Sequence, residues 1–400
     1  MDSLIVLLLC SHLALPRDGD FAARPLSASQ WHSLLAKLQA SSWSEPSDLL
    51  GQSAADIERT LEIKPESAQR VAQLLDRGGQ IAFEIERLAD RGIWILAETD
   101  ERYPRVLVDR LGEAAPPVLF GAGPVETLSA GGIAMVGSRD LDAAGARFAE
   151  TLGALCAKEQ VTVISGGARG ADRISMLGAL DAGGCAVGIL AESLDQALRD
   201  SEAAQFIRND QLALVTMFHP SAGFSVGNAM ARNKLLYCLA DLAVVVSSGE
   251  GSGGTWQGAT ENLDRTWVPL FVRDDPEAPA GNRALIQRGG VPITRGDLPD
   301  SALLPDLKAR VAQHATVSPA KRSYIDGREE APSCQDLFFT VWPHLEPFLA
   351  EARTVEEVTS TFVLDPHQTK AWLKRAVADG RATMPTKRPP RYQRITPRLL

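Results

Sequence analysis

Two hydrophobic periods divide the chain. Up to about residue 92, apolar positions recur at helical spacing. The stretch SASQWHSLLAKLQA (Ser27–Ala40) sets a capping serine before an apolar face, and SAADIERTLEI (Ser53–Ile63) repeats the pattern. KPESAQRVAQLLDRGGQIAFEIERLADRG (Lys64–Gly92) continues it, with a weak point at Gly78-Gly79. Ahead of these, LIVLLLC (Leu4–Cys10) is too short to span a bilayer, and Asp2 precedes it where a signal peptide carries basic residues. It predicts a buried first helix.

From about Gly92 the pattern changes to short apolar runs, each feeding a helix. IWILAE (Ile93–Glu98) reads as a strand and APPVLFGAG (Ala115–Gly123) as an extended segment. Strands follow at Gly132–Ser138, Val161–Gly167, Cys185–Leu190, Leu212–Phe218, Asp241–Ser248 and Thr266–Val272. The helices between them are expected near Asp142–Lys158, from Asp172, near Ser193–Arg208, from about Asn228 and from near Gly254. Continuous apolar strands alternating with helices indicate βαβ units, whose sheet is covered on both faces. The expected fold is α/β, a Rossmann-like doubly wound and mostly parallel sheet, with ligands beyond the C-terminal strand ends.

Residues 316–334 are rich in Ser, Pro and charge and read as a linker. Residues 335–400 then read as three helices and a basic hairpin, a winged-helix-like domain. Asp365 is placed to cap the third helix, Pro366 opens it, Lys370 and Lys374 share one face, and the run from Lys387 forms the wing.

Charge sharpens this division. The 400 residues carry a net −9, yet the last twenty hold six cations and no acid, which leaves −15 on the remainder. Such a tail suits a partner-binding arm or a solvated end. The five cysteines, Cys10, Cys156, Cys185, Cys238 and Cys334, are scattered without metal or redox spacing, and the six histidines form no ligand pattern. A reducing cytoplasm is expected, and neither a metal nor a cofactor.

Four glycine-rich turns fall at expected strand ends, along one rim of the sheet. Glycine lets backbone approach a ligand closely, and free amides at helix starts attract anions. The candidate phosphate-binding residues are Gly137, Ser138 and Arg139; Ser165, Gly166, Gly167, Arg169 and Gly170; Arg232, Asn233 and Lys234; and Ser252, Gly253, Gly254 and Thr255. Phe224, Tyr237 and Trp256 are the aromatic candidates near this rim, although Tyr237 falls on a helix and is expected in the core. Asp172 is expected to be structural, capping the helix it begins.

In their order along the chain, GSR, SGGARGAD, ARNKLLYCLADLAVVV, SGGT and GNRALI resemble the DNA-processing protein A (DprA, or Smf) family, as does the lead-in YPRVLVDRLGEAAPPVLFGAG. The resemblance covers roughly Ile93–Ile293. It implies a helical, SAM-like module over residues 1–92, a Rossmann-like domain over 93–315, and a non-enzymatic protein that binds single-stranded DNA. It further implies homodimerisation, and delivery of DNA to the recombinase RecA in natural transformation. Several positions depart from the family pattern. Lys234 stands where Arg-Asn-Arg ends in arginine, and a lysine lacks the forked phosphate contact. Ala171 replaces isoleucine in Gly-Ile-Asp, Ser175-Met176 replaces Ala-His, and Ser247 stands where the family usually has glutamate. A second reading is a sensor of a small nucleotide. SGGTWQGATE is similar to the Gly-Gly-x-Gly-Thr-x-x-Glu signature of LOG-type phosphoribohydrolases, but Gln257 and Gly258 leave that turn without an acid, and Glu261 points elsewhere on the expected helix.

Overall fold

A computed structural model describes residues 1–15, 24–317, 342, 345–362, 366–378, 382–387 and 390–394. The chain forms two compact units, Met1–Pro319 and Ala320–Leu400. The helical N-terminus and the α/β region therefore belong to one unit.

The first unit opens with α1 (Asp2–Cys10), α2 (Ala28–Gln39), α3 (Ala54–Leu61), α4 (Pro65–Leu75) and α5 (Gly78–Ala89). Residues Ile5 through Leu9 of α1 are all buried, as a helix without a polar face requires. Ser27 and Gln30 close a capping box on α2, and the expected weak point is where α5 starts. The lead-in comprises β1 (Trp94–Ala97), α6 (Arg105–Leu111) and β2 (Val118–Ala122).

The alternation then runs β3 (Ile133–Gly137), α7 (Ala143–Lys158), β4 (Val163–Ser165), α8 (Ala171–Asp181), β5 (Ala186–Ile189), α9 (Leu194–Ala197), α10 (Ser201–Arg208) and β6 (Leu212–Thr216). It continues through α11 (Val226–Leu239), β7 (Leu242–Ser247), α12 (Gly254–Arg265), β8 (Leu270–Arg273), α13 (Ala280–Gln287), β9 (Val291–Ile293) and α14 (Leu303–Val317). The helix expected over Ser193–Arg208 is two helices, because the Asp200 side chain accepts from the amides of Glu202 and Ala203 and starts α10 afresh.

All nine strands form one sheet in the order β1-β2-β6-β5-β4-β3-β7-β8-β9. The β1–β2 and β2–β6 pairs are antiparallel and the rest parallel, so the sheet is mostly parallel, as expected. Alternate residues feed opposite faces: Ile133 and Met135 join the core cluster of α7 and α8, while Ala134 and Val136 join that of α11 and α12. The chain steps outward from β3 to β6, then returns to place β7 directly beside β3. The connections after these two neighbours therefore diverge, which opens a crevice at their C-terminal ends.

In the second unit, β10 (Arg353–Thr354), α15 (Val355–Phe362), α16 (Pro366–Ala378), β11 (Ala382–Lys387) and β12 (Pro390–Arg394) are described. The strands pair in the order β10-β12-β11 around a core that includes Trp342, Leu349, Trp372, Leu373 and Tyr392. The described part of this unit thus sets two helices before the β11–β12 hairpin. Residues 318–341, spanning most of the expected linker and the start of the first expected helix, lie outside the described residues, as does Asp365. No helix among the described residues is long and apolar enough to cross a membrane.

Candidate phosphate-binding crevice

The crevice at the β3–β7 switch has a volume of about 720 Å³. Its lining unites Gly137, Ser138 and Arg139 after β3, Arg232 and Asn233 on α11, and Ser252, Gly253, Gly254 and Thr255 after β7. Asp172 and Tyr237 contribute to it, as do three exposed apolar side chains, Phe224, Val226 and Met230.

The turns are fastened to one another. Ser138 donates its amide to Ser247 O at 2.9 Å, and Ala171 donates to Ser138 O at 3.2 Å. A Cβ on Gly137 would come within 2.5 Å of the Ala171 side chain, so glycine lets α8 begin against β3. Asn233 Nδ2 donates to Gly254 O at 3.2 Å and holds α11 to the start of α12. Behind this loop, fully buried Asn282 accepts from the Ser248 amide at 2.8 Å and donates to Val246 O and Arg273 O. No side chain caps α12, whose N-cap is Gly253 at φ +88°. Its first amides are open to an anion.

Arg232 is the central cation. It is 7% exposed, and Gly166 makes its seat possible: a Cβ there would overlap Arg232 Nη1 and lie 2.5 Å from Asp172 Oδ2. Arg232 Nε has no hydrogen-bond partner, and no ion pair closes on the guanidinium among the described residues. Burial lowers its pKa from the ordinary value, while the charges of Asp172 and Glu192 oppose that shift. Glu192, on the turn after β5, carries no sequence signal that would have linked it to Arg232.

Asp172 does not cap α8, correcting the expectation. The N-cap is Gly170, without a side-chain cap, and Asp172 lies buried in the first turn. Its pKa is raised to about 6 by burial, against the lowering effects of Arg232 and of the amides of Ala168, Gly166 and Gly137.

The other expected residues divide. Arg139 is exposed, with its guanidinium carbon 5.7 Å from the centroid of the Phe224 ring. Arg169 forms an exposed pair with Asp140 at 3.0 Å, outside the crevice lining. Lys234 is engaged by Glu261 at 3.0 Å. Ser165 is fully buried, and its hydroxyl donates to Met135 O at 2.6 Å, which makes it a fastener between strands. Gly167 and Gly170 shape the β4–α8 turn at φ +68° and +88°. Trp256 packs against the core and does not line the crevice. Tyr237 is in the core as expected, but it also reaches the crevice. Val226 and Met230 were missed. Their four-residue spacing at the start of α11 is the signal that could have found them.

Among the described residues, no group of three or more His, Cys, Asp or Glu side chains could hold a metal. Cys10, Cys156, Cys185 and Cys238 are free thiols.

The family described as DNA recombination-mediator protein A matches residues 94–297, half of the chain. Proteins of two Mycobacterium tuberculosis strains, both carrying the name DNA processing protein DprA, are 29% identical over 259 residues. That match takes in 61% of this chain and 66% of the relatives' length, just under two thirds. The X-ray structure of DNA processing protein A from Streptococcus pneumoniae aligns with a TM-score of 0.50 at 19% identity. It covers 71% of this chain and 98% of that one, and it supports the fold.

Proposed function

The chain belongs to the DNA recombination-mediator protein A family, and from that premise we propose that it is a DNA-processing protein that binds single-stranded DNA by its phosphate backbone. The observation that carries this reading is Arg232, a buried cation without an ion-pair partner among the described residues, at the switch point of the sheet. Burying an unpaired charge is costly, so a site that keeps one gains when an anion arrives.

Gly137, Ser138, Arg139, Arg232, Asn233, Ser252, Gly253, Gly254 and Thr255 would form the contact surface. Gly166 would seat Arg232, and Arg169 and Lys234 would add an outer positive field. Phe224, 52% exposed and beside Arg139, would stack on a base, because every base offers a π-face and single strands are held by cations and aromatics together. No chemical step is assigned, since Gln257 and Gly258 leave the start of α12 without an acid. Transfer to RecA, self-association as a homodimer, and action in the cytoplasm follow as proposals from the family. A second DNA contact by residues 335–400 is likewise proposed, with Lys370 and Lys374 exposed on α16.

Equilibrium titration of a labelled oligothymidylate, with free nucleotides as competitors, tests this reading. The oligonucleotide should bind much more tightly than any mononucleotide. Preference for one nucleotide, with the oligonucleotide excluded, would establish a small-ligand sensor instead.

A further inference from the structure

Tyr237 has a hydroxyl that no described residue engages. The residue is 1% exposed, and its ring belongs to the core cluster with Leu235, Leu236 and Leu239. Phenylalanine would fill that space equally well. A tyrosine hydroxyl ordinarily finds a hydrogen-bond partner. Here no hydrogen bond among the described residues engages it, and the residue lines the crevice.

The opposing helix is built to admit the phenol. Gly258 of α12 faces it, and a Cβ there would come within 3.1 Å of Tyr237 Cε2 and 3.3 Å of the hydroxyl oxygen. The same side chain lies within the fields of Arg232 and Asp172. Burial and the Asp172 charge raise its pKa well above the ordinary phenol value. It therefore remains a donor at neutral pH.

Resting on the reading of the crevice as a phosphate site, we propose that the Tyr237 hydroxyl is a ligand contact that donates a neutral hydrogen bond to the phosphate held by Arg232. A neutral donor has a distinctive signature. It adds affinity without displacing counterions, so removing it leaves the salt dependence of binding unchanged.

The test compares Tyr237→Phe and Arg232→Gln with the wild type in the full chain, using a labelled oligothymidylate at several salt concentrations alongside thermal melts. Tyr237→Phe should weaken binding by roughly tenfold, the scale of a hydrogen bond to a charged group. Its salt slope and Tm should match the wild type. Wild-type affinity in Tyr237→Phe, with Arg232→Gln impaired, would overturn the Tyr237 contact and leave the crevice reading standing. A clearly lower Tm in Tyr237→Phe would also overturn it, because the hydroxyl would then be serving the fold. Wild-type affinity in both variants would overturn the crevice reading and the contact with it.

Discussion

Two arginines are buried at the C-terminal edge of the sheet in different company. Arg273 ends β8 with its side chain fully buried, and its two terminal nitrogens meet the two Asp142 oxygens at 3.0 and 2.7 Å. Asp275 approaches at 3.5 Å. Arg232 is nearly as buried, but it lies over a glycine, with Asp172 near enough to be felt and no carboxylate among the described residues closing an ion pair. Among the described residues both leave Nε without a hydrogen bond, so the difference lies at the ends of the fork. One arginine is complete within the fold and ties β8 to the start of α7. On the proposed reading, the other is held ready for a phosphate. On that reading, burial does not separate a structural cation from a binding cation. The state of its counter-charge does.

The largest effect that sharpens this comparison is on stability. Arg273→Ala should cost about 3–5 kcal/mol in urea unfolding, because it leaves Asp142 without its partner. Arg232→Ala should change stability by less than about 1 kcal/mol, since it removes a charge with no internal pair to break. Equal losses in the two variants would erase the distinction.

The two neighbouring aspartates should respond to pH with opposite signs. The Arg273 guanidinium, offset in part by burial, holds Asp142 down at about 2. Its contribution is present above the ordinary aspartate range near 4 and is lost as pH falls toward 2. Asp172, raised to about 6, binds its proton more readily in the folded state. Its contribution is favourable below about 4 and is lost as pH rises through 6. Asp172→Asn should flatten the dependence between pH 4 and 6, and Arg273→Gln should flatten the limb below 4. Urea midpoints across this range check both.

Gly166→Ala comes next. The new methyl group would occupy the seat of the Arg232 guanidinium, so oligonucleotide affinity should fall together with stability. Binding isotherms and melts of the folded variant would read both. The smallest effect is expected at Arg169, whose pair with Asp140 is exposed on both sides. Arg169→Ala should alter stability by under about 0.5 kcal/mol, measured by the same melts.

Much of this was legible in the chain. Apolar runs with glycine at their ends marked the parallel strands, and the position of Arg232 in ARNK marked the cation. What the sequence did not carry is how side chains are used across distant segments. Ser165 and Asn233 read alike as polar residues at glycine turns, yet one hydroxyl is consumed by Met135 O while the amide clamps α12. Asp172 read as a cap because its place at a helix start fits that role, and only the packing of Gly166 against Arg232 turns it into a buried acid. The Asp200 break within the expected helix depended on a local side-chain bond that apolar periodicity does not register. Arg273 carries no signal of its role in the sequence, since its pairing with Asp142 joins the end of β8 to the start of α7, far apart along the chain.

The central claim is that Arg232 is kept for a phosphate. Its most direct measurement is the slope of log K against log salt for oligothymidylate binding, in wild type and in Arg232→Gln. A phosphate contact releases condensed counterions, so the variant should bind more weakly with a slope shallower by roughly 0.7, the value for one contact on a single strand. An unchanged slope and affinity in a folded Arg232→Gln protein would contradict the account.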